Sequence, residues 1–241
     1  MTKKTKAIVL RIVRYGESQL IVDFLTESHG RLSFMVRLSK SSKGKMRRQY
    51  FQPLMVLSIE FDFRPQKELQ RLLDVGVAIP FSSIPFMPVK LSLAMFLSEV
   101  MVYATRCEQV NHALFGFVLR SLAWLDASEG EISNFHILFL MKVSSFLGFA
   151  PDLSKDNEHQ WFDLKEGCFV SSVPSHPFYL SPSDSLHLIQ MARLGYQTMH
   201  LYTMNRQQRS HCIEVILEYY KLHVPNFPEL KSLPVLKALF D

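Results

Sequence analysis

The sequence lacks the short motifs that are typical of several enzyme classes. It contains no glycine-rich phosphate loop, no G-x-S-x-G nucleophile elbow and no H-E-x-x-H zinc motif. Glu60 and Asp62 lie two residues apart on an expected strand, a spacing that fits its solvated side better than a metal site. We therefore expect a protein that is not an enzyme and has no catalytic residues.

Cysteine is scarce, and its placement argues against a disulfide framework. The three cysteines, Cys107, Cys168 and Cys212, are far apart and odd in number. His159 and His176 flank Cys168 in an irregular, polar segment, but structural zinc sites usually contain paired cysteines. We expect reduced thiols, as in the cytosol, and neither a metal ion nor another cofactor.

The sequence also has no long uninterrupted apolar run. Its most apolar stretch, residues 135–150, is too short to span a bilayer and contains Lys142. The apolar run near the N-terminus is broken at Arg11 and Arg14, unlike that of a signal peptide. We expect a soluble, cytoplasmic protein without a membrane partner.

Positive charge, by contrast, is concentrated in the first part of the chain. Residues 1–71 contain 15 Lys and Arg and 6 Asp and Glu, a net charge of +9. Residues 72–241 contain 12 and 16, a net charge of −4, within a total of +5. This asymmetry indicates a basic module that meets a polyanion, although a solvated basic face without a partner is the alternative.

Short β-branched and alternating runs predict five strands at the start of the chain. They cover residues 7–14, 19–26, 31–38, 54–63 and 69–79. Five short strands suit a small closed barrel, and the five-stranded OB barrel is the obvious candidate. A proline-rich stretch from Pro80 to Pro88 then ends the strand pattern.

The rest of the chain has a helical pattern. Helices are expected at residues 89–107, 111–127, 133–149, 183–194, 205–222 and 232–240, and a hairpin at 161–163 and 167–170. We predict an α+β multidomain fold with an OB-fold nucleic-acid-binding domain at 1–79. A helical bundle domain at 80–241 follows, with an irregular insertion at about 152–182.

The candidate nucleic-acid-binding residues are basic side chains and one aromatic. They are Lys3, Lys4, Lys6, Arg11, Arg14, Arg37, Lys40, Lys43, Lys45, Arg47, Arg48 and Tyr50. Lysine and arginine neutralise phosphates, and aromatic rings stack on bases. Residues 39–53 hold five of these cations and no carboxylate, so we prefer a phosphate-binding loop to a solvated tip.

Further aromatic side chains have alternative interpretations. Tyr15 and Phe51 are additional stacking candidates, whereas Phe34 is in phase with Leu32 and Val36 and fits the core better. Near the end of the chain, Tyr219, Tyr220, Phe227 and residues 233–236 could form a peptide groove, but core packing is the preferred interpretation.

Several segments resemble the bacterial RecO recombination mediators. They are A-I-V-L-R-I-V-R-Y-G-E-S-Q-L-I-V-D-F-L-T-E-S-H-G-R-L-S (7–33), K-S-S-K-G-K (40–45), F-Q-P-L (51–54), F-L-S-E-V (96–100), K-V-S-S-F-L-G-F-A-P-D-L (142–153) and L-H-V-P-N-F-P-E-L-K-S-L-P-V-L (222–236). The resemblance runs over nearly the whole chain. Each motif is only moderately specific, but their order and spacing together are convincing.

The resemblance implies an OB barrel followed by a helical domain, and a function without nucleotide hydrolysis. It implies binding of single- and double-stranded DNA, annealing of complementary strands, and loading of the RecA recombinase onto strands coated by single-strand-binding protein. Implied partners are RecR and the acidic, hydrophobic tail of single-strand-binding protein, whose pocket in this family lies in the helical domain.

One departure from the family concerns zinc. Many members carry a four-cysteine zinc module after the P-D-L segment, but residues 152–182 keep only Cys168. The H-P-F-Y-L-S-P run (176–182) matches the zinc-free members better.

Two other functions remain open. The barrel could belong to an adaptor that binds protein or structured RNA, which salt dependence and a preference for DNA over RNA would test. An undetected nuclease would degrade DNA during long incubation with magnesium.

Overall fold

The computed structural model describes residues 1–39, 46, 48–106, 109–153 and 160–239. Its first strands are β1 (Thr2–Tyr15), β2 (Gln19–Thr26), β3 (Gly30–Arg37), β4 (Val56–Asp62) and β5 (Leu69–Ile79). They form a closed barrel in the order β1-β2-β3-β5-β4, with a parallel pairing only between β3 and β5. The predicted α+β class and the OB-type barrel are confirmed.

Phenylalanine rings fill the interior of the barrel. Phe34 meets Phe24 and Phe61 edge to face, with ring centroids 5.4 and 5.1 Å apart. Phe51, from the connection between β3 and β4, meets Phe24 at 6.3 Å. All four rings are buried, so the core interpretation of Phe34 is correct and Phe51 is not available for stacking on a base.

β1 begins five residues earlier than predicted. The reason is that its basic first residues still alternate between side chains that point into the barrel and side chains that point to solvent. Thr5 and Ala7 point inward, while Lys4 and Lys6 are exposed beside β4. A bulge at Leu10 then shifts the register between β1 and β2.

Two helices belong to the same compact unit as the barrel. These are α1 (Pro88–Ala104) and α2 (His112–Ala127), and the unit consists of Met1–Ala127 with Leu230–Leu236. α1 covers the outer side of β1, where the Ser98 hydroxyl donates to the Leu10 carbonyl at 2.5 Å. Asp126 accepts the backbone N–H groups of Ser82, Ser83 and Ile84 at 2.8 Å each, which fixes the connection after the barrel. The domain boundary after residue 79 stays a prediction.

The second unit consists of Ser128–Glu229 with Lys237–Asp241. Its helices are α3 (Phe135–Phe146), α4 (Pro182–Ala192) and α5 (Arg206–His223). The last residues of a further helix, α6 (Leu233–Leu239), also belong to this unit. Three short strands, β6 (Trp161–Asp163), β7 (Cys168–Val170) and β8 (Tyr179–Leu180), form a sheet in the order β7-β6-β8. The predicted hairpin is therefore confirmed. Among the described helices, none is long and apolar enough to cross a membrane.

Candidate nucleic-acid interface

The outer face of β1, β2 and β3 carries apolar, aromatic and basic side chains together. Across the three strands, Tyr15 pairs with Gln19, and Gln19 pairs with Arg37. Two residues further along, Val13 pairs with Ile21, and Ile21 pairs with Met35. Because alternate side chains of a strand point to the same side, these residues share one surface, which we call the outer face. Tyr15 is 56% exposed and Val13 41% exposed. In OB barrels this is the side that binds oligonucleotides.

A basic cleft adjoins the outer face where β3 runs beside β5. This Arg71 cleft has a volume of about 610 Å³ and is lined by Met35, Arg37, Met46, Arg64, Lys67, Leu69, Gln70, Arg71, Leu72 and Leu73. Met35 and Arg71 are the last paired residues of the parallel β3–β5 ladder. The lining contains no carboxylate, and Arg37, Lys67 and Arg71 form no ion pair within the described residues. Three full positive charges are therefore available to an anion.

Arg64 contributes less charge to this cleft. Its guanidinium forms two contacts with the Asp62 carboxylate, at 2.9 and 2.8 Å. Hydrogen bonds from Arg64 and from the N-terminal amine are the main causes that lower the pKa of Asp62. The Asp62 carboxylate therefore binds the two cationic groups next to it. This supports the interpretation of Glu60 and Asp62 as residues on the solvated side of the strand rather than as metal ligands.

A second basic cleft, the Arg14 cleft, lies at one end of the barrel. It has a volume of about 640 Å³ and is lined by Ile12, Arg14, Leu20, Arg48, Gln49, Phe51, Gln52 and Pro53. Arg14 and Arg48 are exposed, and neither forms an ion pair within the part of the chain that the structure describes. The cleft thus combines two available guanidinium groups with two amides over an apolar floor.

Arg11 lies in a different environment from the other predicted residues. Its Nε donates to Asp23 at 2.8 Å, and Arg31 and the Ser33 hydroxyl also donate to this carboxylate, at 3.1 and 2.6 Å. Asp23 is only 1% exposed, so the charge of Arg11 is shared with a buried partner. A DNA contact by Arg11 stays a prediction.

Within the described residues, the N-terminal lysines do not line either cleft. Lys4 and Lys6 are exposed opposite Glu60 and Ser58 of β4, and Lys3 is half-buried. Roughly 30 Å of extended strand separates Lys6 from Tyr15. Across the sheet, however, Thr2 pairs with Asp62 and Asp62 pairs with Arg71, so the basic start of β1 lies two strands from the Arg71 cleft.

The predicted basic loop is described only in part. Lys40, Lys43, Lys45 and Arg47 lie outside the described residues, and their roles stay predictions. Tyr50 is half-buried and packs against the barrel core.

Sequence reasoning missed three cations of the Arg71 cleft. Arg64 and Lys67 follow β4, and Arg71 lies within β5. Basic residues are densest in the first fifty residues, so local charge density does not indicate these three. Once an OB barrel is assumed, the connection between its fourth and fifth strands is a known ligand-binding segment, and this would have indicated Arg64 and Lys67.

In the second unit, the aromatic residues suggested for a peptide groove are core residues. Tyr219, Tyr220 and Phe227 are 6%, 1% and 8% exposed, which confirms the preferred interpretation. The Tyr220 hydroxyl donates to the Leu140 carbonyl at 2.8 Å, and burial raises its pKa well above 10.

In the expected irregular insertion, the described residues from 160 onward are held by contacts within the protein. Asp163 accepts the backbone N–H of Lys165 at 2.8 Å and lies 3.2 Å from Nε2 of His176. Among the described residues, no three histidine, cysteine or acidic side chains cluster as metal ligands would. Cys168 is half-buried, and His159 lies outside the described part of the chain.

Comparison with known proteins gives one consistent result. Residues 1–81 match the family "Recombination protein O N terminal", and residues 86–234 match "Recombination protein O C terminal". The chain is 42% identical over 242 residues to the DNA repair protein RecO of Bacteroides fragilis, and 41% identical over 241 residues to that of Phocaeicola vulgatus. It is 35% identical to that of Flavobacterium psychrophilum, and each of these alignments covers 100% of both chains.

Proposed function

This chain belongs to the RecO family of DNA repair proteins, and we propose that it binds single- and double-stranded DNA through the barrel. The proposal includes annealing of complementary strands and, together with RecR, loading of RecA onto strands coated by single-strand-binding protein. The acidic, hydrophobic tail of that protein would be a further partner. In this proposal the protein acts in the cytoplasm and binds its partners without making or breaking covalent bonds.

One observation carries the DNA-binding part of the proposal. Arg37, Lys67 and Arg71 line one cleft whose described lining residues include no carboxylate, directly beside the exposed outer face. Cations that are not neutralised by the protein gain most from replacing the counterions of a phosphate backbone. Exposed Tyr15 adds a flat surface on which any base can stack.

The arrangement supports a mechanism based on charge. Guanidinium groups bind phosphate oxygens through paired hydrogen bonds, so Arg37 and Arg71 would hold the backbone in a fixed position. Neutralising the phosphates of a bound strand lowers its repulsion of a complementary strand, which would accelerate pairing.

The proposal is tested by fluorescence anisotropy of a labelled oligothymidine across a salt series. We expect Arg37→Ala/Arg71→Ala to weaken binding and to lower the slope of log affinity against log salt by about 1.4, since each single-strand phosphate contact contributes about 0.7. Arg120→Ala/Lys142→Ala removes the same charge at exposed positions outside the clefts. This matched control should bind like the wild type.

The same titration separates the alternatives. If both pairs of substitutions weaken binding equally, the protein binds DNA only through its general charge, and the cleft is not the site. Tighter binding of structured RNA than of DNA would favour the adaptor function. Shortened oligonucleotides after incubation with magnesium would instead indicate a nuclease.

A further inference from the structure

The two basic clefts of the barrel are separate sites. Among the residues that the structure describes, none lines both the Arg14 cleft and the Arg71 cleft. Arg14 of β1 pairs with Leu20, a core residue of β2. The next residue, Tyr15, pairs with Gln19, which in turn pairs with Arg37. Since successive side chains point to opposite faces of a sheet, Arg14 and Arg37 project from opposite sides of it.

Both clefts have the chemistry of a phosphodiester site. The Arg14 cleft presents the guanidinium groups of Arg14 and Arg48, which form no ion pair with a described residue, over a floor that includes Phe51. Gln49 and Gln52 add amide groups that can exchange hydrogen bonds with base edges. Its volume of about 640 Å³ matches the 610 Å³ of the Arg71 cleft, so neither is a minor depression beside the other.

An exposed negative charge lies in the turn that follows Arg14 and Tyr15. The turn from β1 to β2 contains Glu17, which is exposed and forms no ion pair within the described residues. A single strand that ran from one cleft to the other over this turn would bring its phosphates close to the Glu17 carboxylate. Like charges repel, so this path is disfavoured relative to separate occupation of each cleft.

We infer that the barrel holds two DNA strands at once, one in the Arg14 cleft and one in the Arg71 cleft. The inference rests on the proposed function and extends it, because it assigns each strand its own site on one chain. Fixed cations on opposite sides of the sheet would then neutralise both backbones.

Native mass spectrometry can count the bound strands directly. The probe is an oligothymidine of roughly eight nucleotides, within the length that one OB fold covers, and it cannot pair with itself. We expect two strands per wild-type chain, one for Arg14→Ala/Arg48→Ala and one for Arg37→Ala/Arg71→Ala. The charge-matched control, Arg120→Ala/Lys142→Ala, should keep two.

Different outcomes overturn different statements. One strand per wild-type chain, weakened by either pair of substitutions, would show a single continuous site and overturn the two-strand inference while leaving DNA binding intact. No bound strand at low salt would overturn the proposed function itself. If circular dichroism shows that an alanine pair does not fold, Arg14→Gln/Arg48→Gln removes the charge while keeping more of the side chain.

Discussion

Nε of Arg11 donates a hydrogen bond to Oδ2 of Asp23 at 2.8 Å, across neighbouring strands of the barrel. The same oxygen lies 3.1 Å from Arg31, whose guanidinium also donates to the Val102 carbonyl of α1. A single buried carboxylate therefore connects three strands of the barrel and, through Arg31, the helix that covers them.

We expect Asp23→Ala to lower the free energy of unfolding by about 3–5 kcal/mol, the usual effect of removing one partner of a buried ion pair. The Arg31 side chain is only 12% exposed and would lose its carboxylate. Urea denaturation measures the change. Glu60→Ala, on the solvated side of β4, is the control and should cost less than about 0.5 kcal/mol. Equal effects of the two substitutions would contradict a structural role for Asp23.

The ion pair between Arg11 and Asp23 could not be predicted from the sequence. The strands could be found because β-branched and alternating residues have a period of two, which is a local property. The partner of Arg11, in contrast, depends on the bulge at Leu10 and on the pairing of β1 with β2. The basic start of β1 was missed for a related reason: lysine is uncommon in strands, and pairing with β4 overrides that preference here.

Tyr15 provides a test of base stacking that leaves charge unchanged. We expect Tyr15→Ala to weaken binding of single-stranded DNA by about 1–3 kcal/mol, or roughly 5- to 150-fold, and Tyr15→Phe to keep most of the affinity. The salt slope should stay the same in both variants, since no cation is removed. Anisotropy with an oligothymidine measures both quantities. If Tyr15→Phe loses as much affinity as Tyr15→Ala, stacking is not the contribution of this ring.

The segment around β6 should be stable without zinc. Asp163 accepts the backbone N–H groups of Lys165 and Glu166 at 2.8 and 3.2 Å and contacts His176. We expect a chelator to leave Tm unchanged, and Cys168→Ser to have little effect. Asp163→Ala should destabilise the protein by about 1–3 kcal/mol, because partly buried donors lose their acceptor. Thermal denaturation with and without chelator measures these effects, and a fall in Tm on chelation would contradict the prediction.

The candidate site was only partly predictable. Charge density indicated the basic loop and Arg14, Arg37 and Arg48, all of which lie early in the chain. Arg71 was not found because it is a single cation within an apolar strand, and only the parallel pairing of β3 with β5 places it beside Met35. Cations that form one surface through tertiary pairing carry no signal in local composition.

A buried histidine should make stability depend on pH. His136 lies in α3, and burial, followed by the positive charge of Arg209, lowers its pKa from 6.5 to about 3. The folded state therefore keeps His136 neutral where the unfolded state takes up a proton. Its contribution to stability is full above about pH 6.5 and declines as the pH falls towards 3, by about 1.4 kcal/mol per pH unit.

The variant His136→Phe removes this proton uptake while keeping a large side chain in the core. We expect the difference in unfolding free energy between the wild type and this variant to be constant above about pH 7 and to shift against the wild type as the pH falls from 6.5. Urea denaturation at a series of pH values measures the difference. Ile137→Val, a neighbouring buried substitution, should instead cost about 0.5–1.5 kcal/mol at every pH, because it changes packing only. A pH-independent difference for His136→Phe would mean that the pKa of the imidazole is the same in the folded and unfolded states, which would contradict the prediction.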